Sequence, residues 1–361
     1  MRLCTRLVIS FCASMLFVTL CQAFQNAEDS RVKAEQGDAA AQFCLGVMYD
    51  EGRIIPKDYA EALKWYMKAA DQGYAPAQSN LGVMYFEGRG VPQNFSEAMK
   101  WYRKAADQEN VGGQNNLGLM YKDGLGVPQN YSKAIKWYAR AANQGLVKAQ
   151  YVMGRMNEEG LGVPQNMAKA VKWYRKAADR GHALAQIRLA DIYAEGRGIP
   201  HDYQRAMKYY IKAADQGNSQ AQYSLGFMFA WGNGVPMDDA KALSFFRKAA
   251  EKGHAGALYS LGVMYNEGLG VEQDNAEAIK YYRMAIEKGD VSARYNLAVM
   301  YFNGEGEPQN YVKAYANLRV AAELEDETAR NSLTFVTLKM TPEQIVEGQR
   351  LAEVLLSELP K

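Results

Sequence analysis

Apolar residues along this chain follow two alternating helical patterns. The first reads Ala-x-x-x-Leu-Gly-x-x-Tyr, as at Ala77, Leu81, Gly82 and Tyr85, and its spacing places these side chains on one face of a helix. The second reads Ala-x-x-Trp-Tyr-x-x-Ala-Ala, as at residues 98–106, where large rings would face small alanines. The alternation predicts a chain built from pairs of helices.

A glycine doublet and a capping residue separate the two patterns. Gly88 and Gly90 follow the first pattern, and glycine tolerates the left-handed conformation that ends many helices. Asn94 then stands where the second helix would begin, with Glu97 at the spacing of a capping box. Each repeat is therefore predicted to be an αα-hairpin.

The whole pattern recurs every 36 residues without an insertion. A glycine marks the end of each repeat, with Glu109 as the exception: Gly37, Gly73, Gly145, Gly181, Gly217, Gly253 and Gly289. The spacing predicts eight repeats, numbered 1 to 8 here: 38–73, 74–109, 110–145, 146–181, 182–217, 218–253, 254–289 and 290–325. A repeat of this size cannot bury its apolar face alone and must stack on its neighbours, as in a solenoid.

The consensus of these repeats resembles the Sel1-like repeat family, a relative of the tetratricopeptide repeats. Residues 77–107 match its pattern of Ala, Leu-Gly, Tyr, Gly-x-Gly-Val-Pro, Trp-Tyr and Ala-Ala almost throughout, and the resemblance covers about residues 38–325. It implies an all-α fold, a right-handed α/α superhelical solenoid of eight helix-turn-helix repeats with helical caps. For function it implies adaptors and scaffolds, without naming a partner.

The two ends of the chain differ from the repeats. Residues 1–23 carry Arg2 and Arg6, an apolar run and a small residue at position 23, which predicts a secretory signal peptide and a periplasmic or secreted protein. Whether it is cleaved or retained as an anchor stays open. We expect a partial N-terminal helical cap at 24–37 and a C-terminal helical cap at 326–361.

The net charge and the few histidines of the chain limit the classes of function that it can have. The 42 basic and 40 acidic residues leave a net charge of +2, which falls to about 0 if the signal peptide is removed, and this argues against a nucleic-acid partner. His182 and His254 share one turn position, without cysteines or paired acids at ligand spacing. We therefore expect no catalytic residue, no metal and no cofactor, and a protein that is not an enzyme.

Lysines recur on the second helix at a spacing of four. This lysine stripe comprises Lys64 with Lys68, Lys100 with Lys104, Lys136 with Arg140, Lys172 with Lys176 and Lys208 with Lys212. Our interpretation is a solvated face, because an aspartate follows most pairs. The alternative is peripheral contact with anionic lipid or polysaccharide.

The candidate partner surface lies on the first helix, at the sixth, tenth and thirteenth positions of each repeat. These positions fall opposite the Leu and Tyr of the core, and the resemblance implies that this side lines a concave groove. Trp231, one position further on, replaces the acid found in most other repeats. The candidate partner-binding residues are Tyr151, Arg155, Glu158, Asp191, Tyr223, Phe227, Trp231, Tyr259 and Tyr295.

The sequence thus favours an exported scaffold or adaptor, monomeric, that binds a protein or peptide through this groove with aromatic contacts. The resemblance extends this to a bacterial envelope adaptor or host-interaction factor. Two alternatives remain open. One is a cell-envelope hydrolase of β-lactamase-like or cell-wall type, and the other is a surface protein that binds lipid or polysaccharide through the lysine stripe.

Overall fold

The computed structural model describes residues 27–359, and every regular element there is an α-helix. The chain divides into an N-terminal half, Met1–His182, and a C-terminal half, Ala183–Lys361. The predicted signal peptide at 1–23 lies outside the described residues. Among the helices at 27–359, none combines the length and apolarity needed to cross a membrane.

Repeated helix pairs make up each half. The N-terminal half contains α1 (Ala27–Glu35), α2 (Ala39–Glu51), α3 (Tyr59–Asp71), α4 (Ala75–Glu87), α5 (Phe95–Asp107), α6 (Val111–Asp123), α7 (Tyr131–Asn143), α8 (Val147–Glu159) and α9 (Met167–Asp179). The C-terminal half contains α10 (Ala183–Glu195), α11 (Tyr203–Asp215), α12 (Ser219–Trp231), α13 (Asp239–Ala250), α14 (Ala255–Glu267), α15 (Asn275–Glu287), α16 (Ser292–Asn303), α17 (Tyr311–Glu323), α18 (Glu327–Thr337) and α19 (Pro342–Ser357). The expected all-α fold of repeated helix pairs is confirmed.

Capping residues set the helix ends where the sequence predicted them. Asn94 precedes α5, and its side chain accepts a hydrogen bond from the backbone N–H of Glu97 at 3.1 Å. Gly88 follows α4 with a φ of 72°, and its N–H donates to the carbonyl of Met84. These local signals fix the length of each helix.

Within a repeat, the two helices approach closely at the glycine of the Leu-Gly pair. A Cβ added to Gly82 would lie 2.6 Å from Cδ1 of Tyr102, whose side chain is fully buried on α5. The ring therefore occupies the space that a larger residue would need. The predicted use of this glycine as a helix contact is confirmed.

Between repeats, a buried glutamine joins neighbouring hairpins. Gln78 donates from Nε2 to the carbonyl of Ala70 in the preceding repeat at 3.2 Å, and its Oε1 accepts from Gln108 at 2.8 Å. Gln42 and Gln150 make the same bond to the preceding helix. Because these polar groups are buried, the bonds remove a desolvation cost as well as fixing the register of the stack.

The second glycine of each doublet also contacts the preceding repeat. Gly90 has a φ of 69°, and a Cβ there would lie 2.6 Å from the carbonyl oxygen of Tyr59 at the start of α3. Glycine at the end of a repeat is different: Gly73 has a φ of 84° and nothing within 4 Å of an added Cβ. Glu109 accordingly adopts a φ of 59° in the equivalent position.

Helices flank the repeats at both described ends. Ala34 of α1 is buried against α2, in a cluster with Ala41 and Leu45. After repeat 8, α19 begins with a complete capping box between Thr341 and Gln344. It packs on α17, where Ala352 is buried with Ala316 and Val320.

Candidate functional site

The first-helix face consists of the sixth, tenth and thirteenth positions of each repeat, and in the N-terminal half much of it is packed. Val83, Phe86 and Leu119 are each at most 8% exposed, so the valines and rings there seal neighbouring elements together. Two candidates near the end of this half remain accessible. These are Tyr151, which is half-buried, and Arg155, which is exposed.

Tyr151 and Arg155 both have partners within the N-terminal half. The Tyr151 ring stacks on the His182 imidazole with centroids 4.7 Å apart. Arg155 is paired with Glu159, with its Nη2 2.5 Å from Oε1. Both residues are thus held in one orientation at the surface of α8.

Glu158, one of the candidate partner-binding residues, is buried. Its side chain is 7% exposed, and its Oε2 accepts a hydrogen bond from the hydroxyl of Tyr174 at 2.5 Å. The cause lies in the thirteenth position, which faces the tyrosine hydroxyl of the second helix. Asp50 in repeat 1 has a comparable neighbour in Tyr66, at 3.5 Å. Glu158 therefore belongs to the internal packing of repeat 4.

In the C-terminal half, Asp191 also lies beside a buried tyrosine. The Tyr210 hydroxyl donates to its Oδ1 at 2.7 Å. Burial raises the pKa of the Asp191 carboxyl above its usual range, although the bond from Tyr210 acts in the opposite direction. The carboxylate is half-buried, so part of it remains open to solvent.

Three aromatic residues of α12 form a continuous stripe that begins at the half-buried Tyr223 and becomes exposed at Phe227 and Trp231. Tyr223, Phe227 and Trp231 are spaced by four residues, and their successive ring centroids are 6.4 and 5.8 Å apart. Phe227 is 42% exposed and Trp231 is 67% exposed. Rings of this size in solvent are unusual for a folded chain and mark a surface available to a partner.

Further exposed apolar side chains lie at the tenth and thirteenth positions of the frame after repeat 7, in which Val263 at the tenth position is half-buried. Val299 on α16 is 36% exposed, Phe335 on α18 is 69% exposed, and Leu338 just after α18 is 77% exposed. Together with Phe227 and Trp231 they are called the apolar row. The sequence prediction missed Phe335 and Leu338 because the repeats were ended at 325. Extending the frame by one repeat places them at its tenth and thirteenth positions.

Tyr259 and Tyr295 are half-buried beside this row. The Tyr259 hydroxyl accepts a hydrogen bond from Asn296 at 3.3 Å, and its ring lies 6.0 Å from that of Tyr282. Tyr295 is packed against the core of the last repeats. Both residues therefore support the surface while exposing part of their rings.

His254 fixes the position of Tyr223. Its ring stacks on the Tyr223 ring at 4.5 Å, and its Nδ1 accepts a hydrogen bond from the N–H of Ala257 at 3.2 Å as the cap of α14. Nε2 lies 3.1 Å from Oε1 of Gln220, so it carries the proton and donates. A second proton on Nδ1 would oppose the Ala257 N–H.

A fall in pH is expected to destabilise the chain partly through His254. Burial lowers the pKa of this imidazole, so the unfolded chain binds more protons below the ordinary histidine pKa and stability is lost as the pH falls. His254→Asn keeps a capping side chain, as Asn218 does before α12. We expect a smaller loss of thermal stability in this variant between about pH 7.5 and pH 5. Thermal unfolding followed by circular dichroism tests this, and equal losses in both proteins would contradict it.

The second helices carry an ordered arrangement of cations on rings. Lys104 lies 4.0 Å from the Trp101 centroid, and Lys68 lies 4.1 Å from that of Trp65. Trp65 is buried as predicted, whereas Trp101 keeps part of its ring at the surface beneath its lysine. Across residues 27–359, no group of three or more His, Cys, Asp or Glu side chains is placed to hold a metal ion.

Comparison with known proteins places this architecture in context. A family model described as Sel1 repeat matches 39–74, 75–110, 111–146, 147–182, 183–218, 219–254, 255–290 and 291–326. A similar crystal structure is that of a protective antigen of uropathogenic Escherichia coli strains displaying an SLR fold, with 31% identity, coverage of 94% of this chain and 88% of that chain, and a TM-score of 0.64. A Sel1 repeat protein from Oxalobacter formigenes has 34% identity, coverage of 68% and 96%, and a TM-score of 0.57. Comparison with curated protein sequences found no match.

Proposed function

Because this chain belongs to the Sel1 repeat family, whose members are generally protein-interaction scaffolds, we propose that it is an exported scaffold that binds a segment of another protein on the first-helix face of its C-terminal half. The observation that carries this proposal is the apolar row, where large side chains are exposed on α12, α16 and α18. The bound segment would present apolar side chains to Phe227, Trp231 and Phe335. No catalytic step is involved.

The row is suited to binding because its side chains are already held in place. Tyr223 is fixed by His254, and Phe227 and Trp231 follow it on one rigid helix. A preformed surface loses little conformational entropy on association, so more of the apolar contact contributes to affinity. Trp and Phe also provide large contact areas with few rotatable bonds.

The proposed location is outside the cytoplasm, in the periplasm or at the bacterial surface. The apolar run after Arg6 and the small residue at position 23 support export. The similar Escherichia coli protein is described as a protective antigen, and a protective antigen must be accessible to the immune system. We propose an envelope adaptor or host-interaction role on these grounds, with the chain acting as a monomer.

Trp231→Glu is expected to weaken capture of the partner by at least about tenfold, the size of an interface hot spot. The substitution installs the acid present at Glu195 and Glu267, so the fold should not change. The matched control is Met237→Glu in the following loop, because Met237 is 68% exposed and the change in charge is the same. Proteins captured from envelope and host-cell extracts by the parent chain would be identified by mass spectrometry, and binding of each variant then measured with the purified partner.

The two variants separate the proposal from a general surface effect. Loss with Trp231→Glu and retention with Met237→Glu would place binding on the apolar row. Equal affinity of both variants and the parent would remove the first-helix face from consideration. Equal loss in both would indicate a response to charge alone.

A further inference from the structure

The second helices of repeats 3 and 4 differ from those of repeats 1, 2, 5, 6 and 7 in their first turn. In repeats 1, 2 and 7 a glutamate there pairs with a lysine: Glu61 with Lys64 at 3.1 Å, Glu97 with Lys100 at 2.6 Å and Glu277 with Lys280 at 3.0 Å. In repeats 5 and 6 a basic residue replaces the glutamate but pairs with an aspartate cap, Arg205 with Asp202 and Lys241 with Asp238. Repeats 3 and 4 instead combine a neutral asparagine cap with Lys133 and Lys169. Repeat 8 has the same combination, but its Lys313 pairs with Glu307 at 3.2 Å.

This substitution concentrates positive charge on α7 and α9. The basic patch comprises Lys133, Lys136, Arg140, Lys169, Lys172 and Lys176, all exposed. None of these six has an ion-pair partner within 4.0 Å among the residues that the structure describes. The aspartate that ends α5 is replaced by Asn143 at the end of α7, which removes a further carboxylate. The stripe predicted as a neutralised solvated face is therefore locally basic.

Helix stability does not account for Lys133 and Lys169. A cation in the first turn faces the unpaired backbone N–H groups and the positive end of the helix dipole, which is unfavourable. Glutamate at these positions would complete a capping box with Asn130 or Asn166. Residue choices that oppose local stability concentrate at functional sites. Arg205, Lys241 and Lys313 occupy the same position but each pairs with a carboxylate, so Lys133 and Lys169 stand apart as cations open to a ligand.

A surface depression on α9 adds an independent observation. It is lined by Lys169, Lys172, Trp173 and Lys176 together with Arg175 and Asp179. The Lys176 ammonium lies 4.3 Å from the Trp173 centroid. On α7 the Arg140 guanidinium lies 4.7 Å from the Trp137 centroid in the equivalent position. The patch therefore contains two sites, one repeat apart, at which a cation lies beside an aromatic ring.

We propose that the basic patch binds an acidic segment of a partner protein, one that combines Asp or Glu with apolar side chains. The carboxylates would meet the lysines, and the apolar groups would rest in the depression beside Trp173. This surface lies in the N-terminal half and shares no residue with the apolar row. It would give the scaffold a second partner, or a second contact with the same one.

The extent of the patch favours a peptide over a membrane or a nucleic acid. On α5 the lysine is already paired with Glu97, so a broad anionic plane would meet carboxylates at its edge. Neither α7 nor α9 carries one of the exposed large apolar side chains of the described chain, which a membrane surface would use as anchors. Base stacking would require a free ring face, whereas the Trp173 ring has Lys176 over it and packs against the core of the N-terminal half.

The test uses the full chain and a fluorescein-labelled peptide of glutamate and leucine, followed by fluorescence anisotropy. Lys133→Glu with Lys169→Glu installs the residue found at Glu61 and Glu97, so the variant should remain folded. We expect it to weaken peptide binding by about tenfold. Arg205→Glu with Lys241→Glu is the matched control, with the same helix position and the same change in net charge, and it should bind like the parent.

Several results would overturn the proposal. They are equal weakening by both variants, absence of peptide binding by the parent, and binding that does not fall with added salt. Vesicles of phosphatidylglycerol and a single-stranded oligonucleotide are tested in parallel. One outcome is that the vesicles or the oligonucleotide bind more tightly than the peptide and lose that binding in the Lys133→Glu, Lys169→Glu variant. That result would assign the patch to that ligand instead of an acidic peptide. Circular dichroism of each variant confirms that the helices are intact.

Discussion

Replacing Tyr282 by alanine is expected to lower the free energy of unfolding by about 4 kcal/mol. The side chain is 1% exposed and lies against Gly262, where an added Cβ would stand 2.5 Å from its Cδ1. Tyr282 belongs to a buried core cluster that includes Ile279 and Ala285. The truncation would leave a cavity between α14 and α15 that the backbone cannot close.

The adjacent Tyr281 provides the control for this prediction. Its ring is partly exposed and stacks on Tyr265 with centroids 5.4 Å apart, so Tyr281→Ala should cost only about 1 kcal/mol. Urea unfolding followed by circular dichroism measures both. Comparable losses from the two substitutions would show that the packing of Tyr282 against Gly262 is not a major source of stability.

The second large effect is expected from Gly162→Ala, at about 3 kcal/mol. Gly162 has a φ of 74°, and a Cβ there would stand 2.5 Å from the carbonyl oxygen of Tyr131. Unlike a side chain, this carbonyl cannot turn away, because it belongs to the first turn of α7. The substitution would therefore force repeats 3 and 4 apart.

Gly73→Ala separates backbone strain from this contact. Gly73 has a φ of 84° with nothing within 4 Å of an added Cβ, so only the left-handed conformation is penalised, by about 1 kcal/mol. Glu109 already tolerates that conformation in the same position. Thermal and urea unfolding of the two variants measures the difference. If Gly73→Ala is as damaging as Gly162→Ala, the explanation by close approach is wrong.

Features of the fold that depend on local chemistry could be predicted from the sequence. The cap at Asn94 and the helix end at Gly88 depend on residues within one turn, and the repeat frame depends on a regular spacing. The contact of Gly82 with the second helix could also be predicted, because an aromatic residue recurs at a fixed spacing in the sequence after this glycine. These features require no knowledge of how one repeat meets the next.

Features that arise between elements could not be predicted in the same way. The burial of Glu158 depends on where the hydroxyl of Tyr174 reaches, which helix periodicity does not specify. The bond from Gln78 to Ala70 requires the stacked geometry of two repeats. Phe335 was hidden by the end of the glycine pattern, although its position in the frame continues that of Phe227. The candidate surface was thus predicted from the helix face, and the burial of Glu158 and the exposure of Phe335 changed which residues belong to it.

Ile54 limits which repeats of this array can be duplicated during evolution. It occupies the place of the second loop glycine in repeat 1, and its side chain is 63% exposed. A gene duplication that copied repeat 1 into the interior would bring isoleucine against the backbone that Gly90 and Gly162 approach. The array can therefore lengthen more readily by copying its interior repeats than by copying repeat 1.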